Sequence, residues 1–470
     1  MSWLLALLLG CGETSPELTT STTSTSFTTG SSTTSETGVA TTTTDLLDTV
    51  PTGGCGMAEF DWADLERMGE VVHWEQQEGL SFTPEVMDVL LTKYGLTAYL
   101  PTKYSVEVYT VRYVSQDRGQ EVEVTGILSF PVLDEPAEVP ILLQTHPTMG
   151  FADDCAPSSL GLQGAALNML FSAHGFAVAG PDYLGMKGSG EASEVLHPYV
   201  HPESTAITSI DSLRALVQFA AARESVNAIP QQDDTYFFGA SEGGFAALWA
   251  ERYMASYAPE FTARAVVASV PPVDLVKLAV DGVSYLHDTT WGGVAVLATQ
   301  HQWYGEGVPN DTIFTNESPN FLADSVFDTL AASCGDYGDF ASATTPDDVY
   351  TATYIDALED GDMDAIYPWG CYLENGVLAS DRIPLRSQTP TLIVGSGEDE
   401  LVTVSTIRES IGPLCDLGYE IEYHECEGAD HVDGVLASAG YQWEWLQARM
   451  AGEPLGLTCV VNPPVDCEQL

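Results

Sequence analysis

Residues 235 to 253 read TYFFGASEGGFAALWAERY: an apolar run that breaks at Gly239, sets Ser241 among small residues, and resumes with helical character. Tyr236, Phe237 and Phe238 suit a buried strand, and FAALWAERY suits a helix. A strand, a tight turn with glycine two residues before and two after a serine, and a helix make the GxSxG elbow. The glycines have a steric task, because a Cβ at Gly239 or Gly243 would crowd the neighbouring strand or helix while the serine backbone is held in a strained turn. Ser241 is therefore expected to stand exposed at the carboxyl edge of a sheet as a nucleophile. The backbone amide of Glu242 would open the following helix, where unpaired donors can hold a developing negative charge.

A serine hydroxyl is a weak nucleophile near neutral pH and needs a histidine to take its proton and a carboxylate to orient that histidine. In the order serine, acid, histidine, the histidines that follow are His287, His301, His424 and His431. His287 and His301 fall in a segment of different texture, and His424 lies in the alternating run YEIEYHE. His431, in GADHVDG just before the last helical stretch, occupies a loop at the end of a strand, where a base belongs. The loop after TLIVGSG offers Glu398, Asp399 and Glu400 as the acid.

The surroundings predict an α/β fold. YSVEVYTVRYV from 104 and EVEVTGILSFPV from 121 alternate apolar and polar residues as half-buried antiparallel strands do. PILLQTH (140 to 146), GFAVAGPDYLG (175 to 185), RAVVASVP, TLIVGSG and YEIEYHE then alternate with helical stretches, among them STAITSIDSLRALVQFAAARE with Ile210, Leu213 and Val217 at helical spacing. Strands alternating with helices give a mostly parallel, doubly wound sheet. Residues 271–389 interrupt that rhythm with aromatics and glycines, and are expected to form a cap or lid over the site, inserted before the acid. Trp291, Trp303, Tyr304 and Trp369 could line a pocket there, although cap core is the more ordinary fate of each. The core is expected to occupy 55–270 and 390–450, with a cysteine-containing tail at 451–470.

Composition bounds the rest. The chain has 470 residues, with 15 Lys and Arg against 68 Asp and Glu, for a formal net charge of −53, which excludes nucleic-acid partners by repulsion. Residues 1–11 (MSWLLALLLGC) form an apolar run too short to span a bilayer, and read as an export signal. Their Leu-Leu-Gly-Cys ending resembles a lipoprotein signal, with Cys11 as the lipidated residue, although no Lys or Arg precedes the run. Residues 12–54 are Ser/Thr-rich and would form a disordered tether. Some forty flexible residues hold a domain roughly 35 Å from its anchor. Of nine cysteines, setting Cys11 aside leaves eight, an even number suited to an oxidising compartment. Proximity suggests Cys415 with Cys426 and Cys459 with Cys467, and the tail CVVNPPVDC reads as a disulfide-closed flap or an additional anchor, though spacing leaves connectivity open. No metal-type cysteine spacing occurs, and DGDMDA at 360 to 365 lacks the glycine and closing glutamate of a calcium loop, so neither metal nor cofactor is expected.

QTHPTMGFADDCAPS, GFAVAGPDYLGM and GASEGG, in this order, resemble the secretory lipase family, the fungal lipase A-type enzymes and their bacterial relatives within the α/β-hydrolase fold. The likeness spans roughly residues 95 to 450 and is weakest in the cap. It implies carboxylic ester hydrolysis, and the family spacing selects Asp399, with the strand's Gly395 four residues before it and Leu401-Val402 after it. The second oxyanion donor should come from the loop after PILLQTH. Where the bacterial relatives usually carry His-Gly this chain has His146-Pro147, and proline has no amide hydrogen, so Thr148 or Met149 must donate. The reading is an exported, surface-anchored or secreted serine esterase or lipase, monomeric, acting on a small-molecule or lipid ester and touching membrane only through its anchor. Two alternatives are a serine peptidase of prolyl-peptidase type and a catalytically silent surface binding protein on the same scaffold.

Overall fold

The two alternating stretches form the antiparallel end of one sheet. The structure is a computed structural model that describes Leu47 and residues 50–470, apart from 285, 287–289, 306, 317–321, 336–342 and 387. Cys11, the apolar leader, nearly all of the Ser/Thr-rich segment and His287 lie outside the described residues. β1 (Val71–Gln76) is followed by helix α1 (Pro84–Lys93), and then by β2 (Val106–Asp117) and β3 (Gln120–Pro131). The β2–β3 hairpin turns through Arg118 and Gly119, both at positive φ (48° and 70°), which matches the twist of the strands it joins. β1 was not foreseen from sequence: VVHWEQ carries no clean alternation, and its faces are mostly half-buried.

The α/β part follows as β4 (Ala137–Thr145), α2 (Leu162–Ser172), β5 (Ala177–Pro181), α3 (Pro202–Ala221), β6 (Ala228–Ala240), α4 (Glu242–Tyr257) and β7 (Ala263–Ser269). Among the described residues five helices come next: α5 (Leu275–Ser284), α6 (Trp291–Tyr304), α7 (Leu322–Ala331), α8 (Ala352–Asp360) and α9 (Trp369–Asn375). The chain then returns through β8 (Pro390–Ser396), α10 (Val404–Leu417), β9 (Glu420–Cys426), α11 (His431–Ala437) and α12 (Ala439–Met450). The described residues give a nine-stranded sheet in the order β1-β2-β3-β5-β4-β6-β7-β8-β9. Neighbours from β5 through β9 are parallel, and those from β1 to β5 antiparallel. The central strands read as continuous apolar runs because helices cover both faces: β5 is buried throughout, as are Tyr236 to Ala240 of β6. In α3, Ile210 and Leu213 point into the core, with Val217 packed at its margin.

Four disulfides link Cys55–Cys371, Cys155–Cys334, Cys415–Cys459 and Cys426–Cys467. This corrects the pairs suggested by proximity, Cys415 with Cys426 and Cys459 with Cys467. Cys415 lies in the last turn of α10 near the start of β9, whereas Cys426 ends β9, and six steps of strand separate those levels by about 20 Å. The tail is therefore no self-closed flap. It runs beside the edge strand, where Cys459 donates its amide to Ile421 and Val465 bridges Cys426, so each tail cysteine meets the core cysteine at its own level. An edge that would otherwise present unpaired backbone groups is partly covered in this way.

Trp303, Tyr304 and Trp369 are buried, with side chains committed to ring contacts and hydrogen bonds, so these aromatics are core, Trp369 among the helices after β7 and Trp303 where those helices meet the end of β2 and His201. Trp291 is half-buried and lies against Phe151.

Candidate active site

Ser241 stands between the end of β6 and the start of α4, with φ 56° and ψ −125°. Its amide is fixed to Ser269 O at the end of β7 (2.8 Å), and its carbonyl accepts the first helical bond, from Phe245 (3.1 Å). The flanking glycines are required by close approach. A Cβ on Gly239 would lie 2.2 Å from Gly243 O, and one on Gly243 would lie 2.2 Å from Thr145 O. The backbone is left no room for side chains, and the serine, at positive φ, carries the strain.

His431 opens α11, behind Asp430, whose side chain accepts from the amides of Val432 and Asp433 and so starts the helix there. Its Nε2 is 2.9 Å from Ser241 Oγ, and its Nδ1 is 2.7 Å from Asp399 Oδ2. The other oxygen of Asp399 accepts from the amides of Leu401 (2.9 Å) and Val402 (2.8 Å). The two loops are zipped together beneath the side chains, Gly397 N donating to Cys426 O and Glu398 N to Ala429 O. The acid side chain is fully buried while that of the imidazole is 17% exposed. Ser241, expected to stand exposed, is itself buried at the sheet edge, because the cavity it lines is enclosed by the helices after β7. An array of this kind can draw a proton from the serine as its oxygen attacks.

The other candidates are engaged elsewhere. Glu398 and Glu400 are exposed. His424 lies beside Tyr441 and Glu422, and His301 contacts Tyr372 and the Val308 carbonyl. His146 is buried, with Nδ1 on the Pro147 carbonyl and its ring stacked on Tyr183 at 4.0 Å. Burial pushes its pKa down to about 4, which keeps it neutral at neutral pH. Thr148 Oγ1 and Tyr199 Oη share a hydrogen bond (2.8 Å), and Met149 is buried beside Cys155. Cys155–Cys334 ties this loop to the end of the α7 segment.

Ser241 lies in the wall of a cavity of about 100 Å3. Tyr199, Val200, Leu401 and Val402 line it from the core, and Leu275, Leu278, Val296, Tyr354 and Leu373 from the helices after β7. Three glycines, Gly282, Gly292 and Gly293, keep one side open. None of the four aromatics suggested by sequence for a pocket lines it. Also unforeseen was the fully buried pair His197 and Glu242, 2.5 Å apart. A glutamate directly after Ser241, in a segment otherwise apolar or small, was the available signal.

The secretory lipase family model matches residues 162–457, more than half of the chain. The chain belongs to the secretory lipase family. As a member it is a carboxylic ester hydrolase, and its substrate is an ester. Comparison with curated proteins found no match. Among solved structures, the chain is similar to the rice cell wall degrading esterase LipA from Xanthomonas oryzae, at 19% identity over 82% of this chain and 96% of that one, TM-score 0.64. It is also similar to Candida antarctica lipase A in its closed state, at 14% identity over 85% and 86% of the two chains, TM-score 0.59. At such identities these likenesses speak to fold, and the fold they share with this secretory lipase is the α/β-hydrolase one expected from sequence.

Its disulfides are those of a protein that folds in an oxidising compartment. Among the described residues no helix is long and apolar enough to cross a membrane.

Proposed function

We propose that this lipase-family protein hydrolyses esters through an acyl-enzyme on Ser241, with His431 as general base and acid and Asp399 as the group that orients it. The observation that carries the reading is the continuous hydrogen-bonded chain from Asp399 through His431 to Ser241 in the wall of an apolar cavity. Ser241 Oγ attacks the ester carbonyl as its proton passes to His431 Nε2. The tetrahedral intermediate collapses with that proton going to the departing alcohol, and water then repeats the cycle to free the acid. The negative oxygen is held by the amide of Glu242 and by that of Thr148 or Met149, a single donor typically being worth about 100- to 1,000-fold in rate. The chemistry draws on side chains and backbone alone.

The acyl chain occupies the cavity, whose lining is mainly aliphatic and aromatic. Residues 271–389 act as its cap, on the two-part core 55–270 and 390–450, with the tail 451–470 bracing the last strand. The protein is exported as a monomer on a signal at 1–11, and held at a surface by a lipid on Cys11 and the tether 12–54. The test is hydrolysis of p-nitrophenyl esters from acetate to palmitate by the disulfide-bonded protein, with Ser241→Ala alongside. Turnover that vanishes in the variant supports the reading, and equal turnover in both sinks it. Activity confined to amides would move the assignment to a peptidase, and no turnover at all to a binding protein. Metabolic labelling with palmitate, lost in Cys11→Ser, tests the anchor.

A further inference from the structure

His197 and Glu242 form a titratable pair at the heart of the molecule that the proposed chemistry does not use. Both side chains are fully buried, and Glu242 Oε1 lies 2.5 Å from His197 Nε2. His197 is held at two further points. Its Nδ1 is 2.8 Å from the Leu184 carbonyl, and its backbone amide donates to Phe151 O at 2.8 Å. A carbonyl can only accept, so Nδ1 carries a hydrogen, and one further proton is shared between Nε2 and the carboxyl group. Whichever atom holds that proton, the pair is neutral overall, which is the form that a dry site tolerates.

The two ends of this pair sit on the two halves of the proposed oxyanion site. Glu242 contributes its own amide from the elbow. Phe151 belongs to the loop that begins at His146 and carries Thr148 and Met149. A stack of rings makes the same connection a second time, His146 on Tyr183 at 4.0 Å and Tyr183 on His197 at 5.3 Å, with Tyr183 Oη donating to His146 O at 3.0 Å. A donor pair works only if both amides converge on one oxygen, and tenths of an ångström decide how well. We propose that His197 and Glu242 are positioning residues, a proton-sharing clamp that holds the elbow amide in register with the 146–151 loop. The proposal rests on Ser241 being the nucleophile.

Two substitutions at one position separate positioning from packing. His197→Gln and His197→Asn both delete the ring. Gln reaches the Nε2 position and can still meet Glu242, whereas Asn reaches only the Nδ1 position, keeps Leu184 and releases Glu242. With p-nitrophenyl butyrate, His197→Asn is expected to lose kcat by about 10- to 100-fold at unchanged KM, a fraction of the worth of one oxyanion donor. His197→Gln is expected to lose less than about fivefold, since one neutral hydrogen bond replaces the original. Labelling of Ser241 by an alkyl phosphonate, which builds the same tetrahedral anion, should slow in the same proportion. Equal losses in the two variants, or losses confined to KM, would overturn the clamp. Should His197→Asn not fold, Glu242→Gln against Glu242→Leu asks the same question, with at least about tenfold higher kcat expected for Gln. Failure of both releasing variants to fold also overturns it. Ser241→Ala, assayed in parallel, keeps the two ideas apart. Wild-type turnover that survives in Ser241→Ala refutes the nucleophile, whereas Ser241-dependent turnover untouched by His197→Asn refutes only the clamp.

Discussion

Replacing Asp399 by Asn tests the proposed chemistry at the point farthest from the substrate. The native carboxylate uses both oxygens, Oδ2 accepting from His431 Nδ1 (2.7 Å) and Oδ1 from the amides of Leu401 and Val402 (2.9 and 2.8 Å). A carboxamide has one acceptor oxygen, and two backbone donors claim it, so its NH2 must face His431. A donor opposite Nδ1 forces the imidazole to carry its hydrogen on Nε2 instead, pointing at Ser241 Oγ, and the base is lost. Turning the carboxamide round sets its NH2 against two N–H groups and leaves them unpaired, at about 1–3 kcal/mol each. The expected loss in kcat is about 10,000-fold, the size found where such a substitution fixes the wrong tautomer. That corresponds to about 5 kcal/mol of transition-state stabilisation. The assay is turnover of p-nitrophenyl butyrate with the thermal midpoint and near-UV dichroism measured on the same samples, and Glu398→Gln, at an exposed neighbour, as the control. Asn at 399 with native folding and kcat within tenfold of wild type would refute the reasoning, because the carboxylate would then not be setting the tautomer.

Three further outcomes are expected. Gly282 lines the cavity and has no atom within 4 Å of an added Cβ, so Gly282→Phe should fill space without displacing the backbone. Excluding about four methylenes at about 0.8 kcal/mol each should cost about 200-fold in kcat/KM on laurate while acetate stays within about threefold, and equal loss on both esters would mean the chain does not lie there. Glu203 is buried near Arg382 and Asp117, and burial pushes its pKa up to about 8. The folded chain then holds a proton that the unfolded chain releases above about pH 4.3, so stability falls as pH rises from there to about 8, at about 1.4 kcal/mol per unit. Glu203→Gln, which titrates in neither state, should gain on wild type progressively over that window in denaturant melts, and a constant offset at all pH values would contradict the shift. Finally, Cys155→Ser with Cys334→Ser frees the 146–155 loop from the α7 segment. Guanidinium unfolding should show a loss of about 2–5 kcal/mol, and kcat on acetate should fall with it. Unchanged unfolding would leave the bond without a structural role.

What the sequence discloses and what it withholds divide along a physical line. The parallel strands, the elbow and the two long antiparallel strands are legible because each is enforced locally, by apolar runs covered on both faces, by two glycines where backbones nearly touch, and by alternation of apolar and polar residues. Ser241 and His431 could be picked out for the same reason, since each follows a strand that ends at one edge of the sheet, whereas the loop after β8 offers Glu398, Asp399 and Glu400 alike and only the family resemblance selects Asp399. Long-range pairing has no such local signature. Cys415 and Cys426 look like partners until the β9 strand between them carries one to the far end of the sheet. The cavity lining also escaped, because aromatics in a helical insertion are worth most to the insertion's own core, and the walls fell to Leu278, Val296 and the glycines. The His197–Glu242 pair shows the limit most plainly. Forty-five positions separate the two, and although Glu242 stands out in an apolar segment, a glutamate is also ordinary in a first helical turn, where it favours the positive end of the dipole, and nothing local ties it to His197. Only burial of both side chains, with proton donors and acceptors counted on each, turns an ordinary capping glutamate into a candidate part of the machinery. That count is where function can still be read after motif and family have had their say.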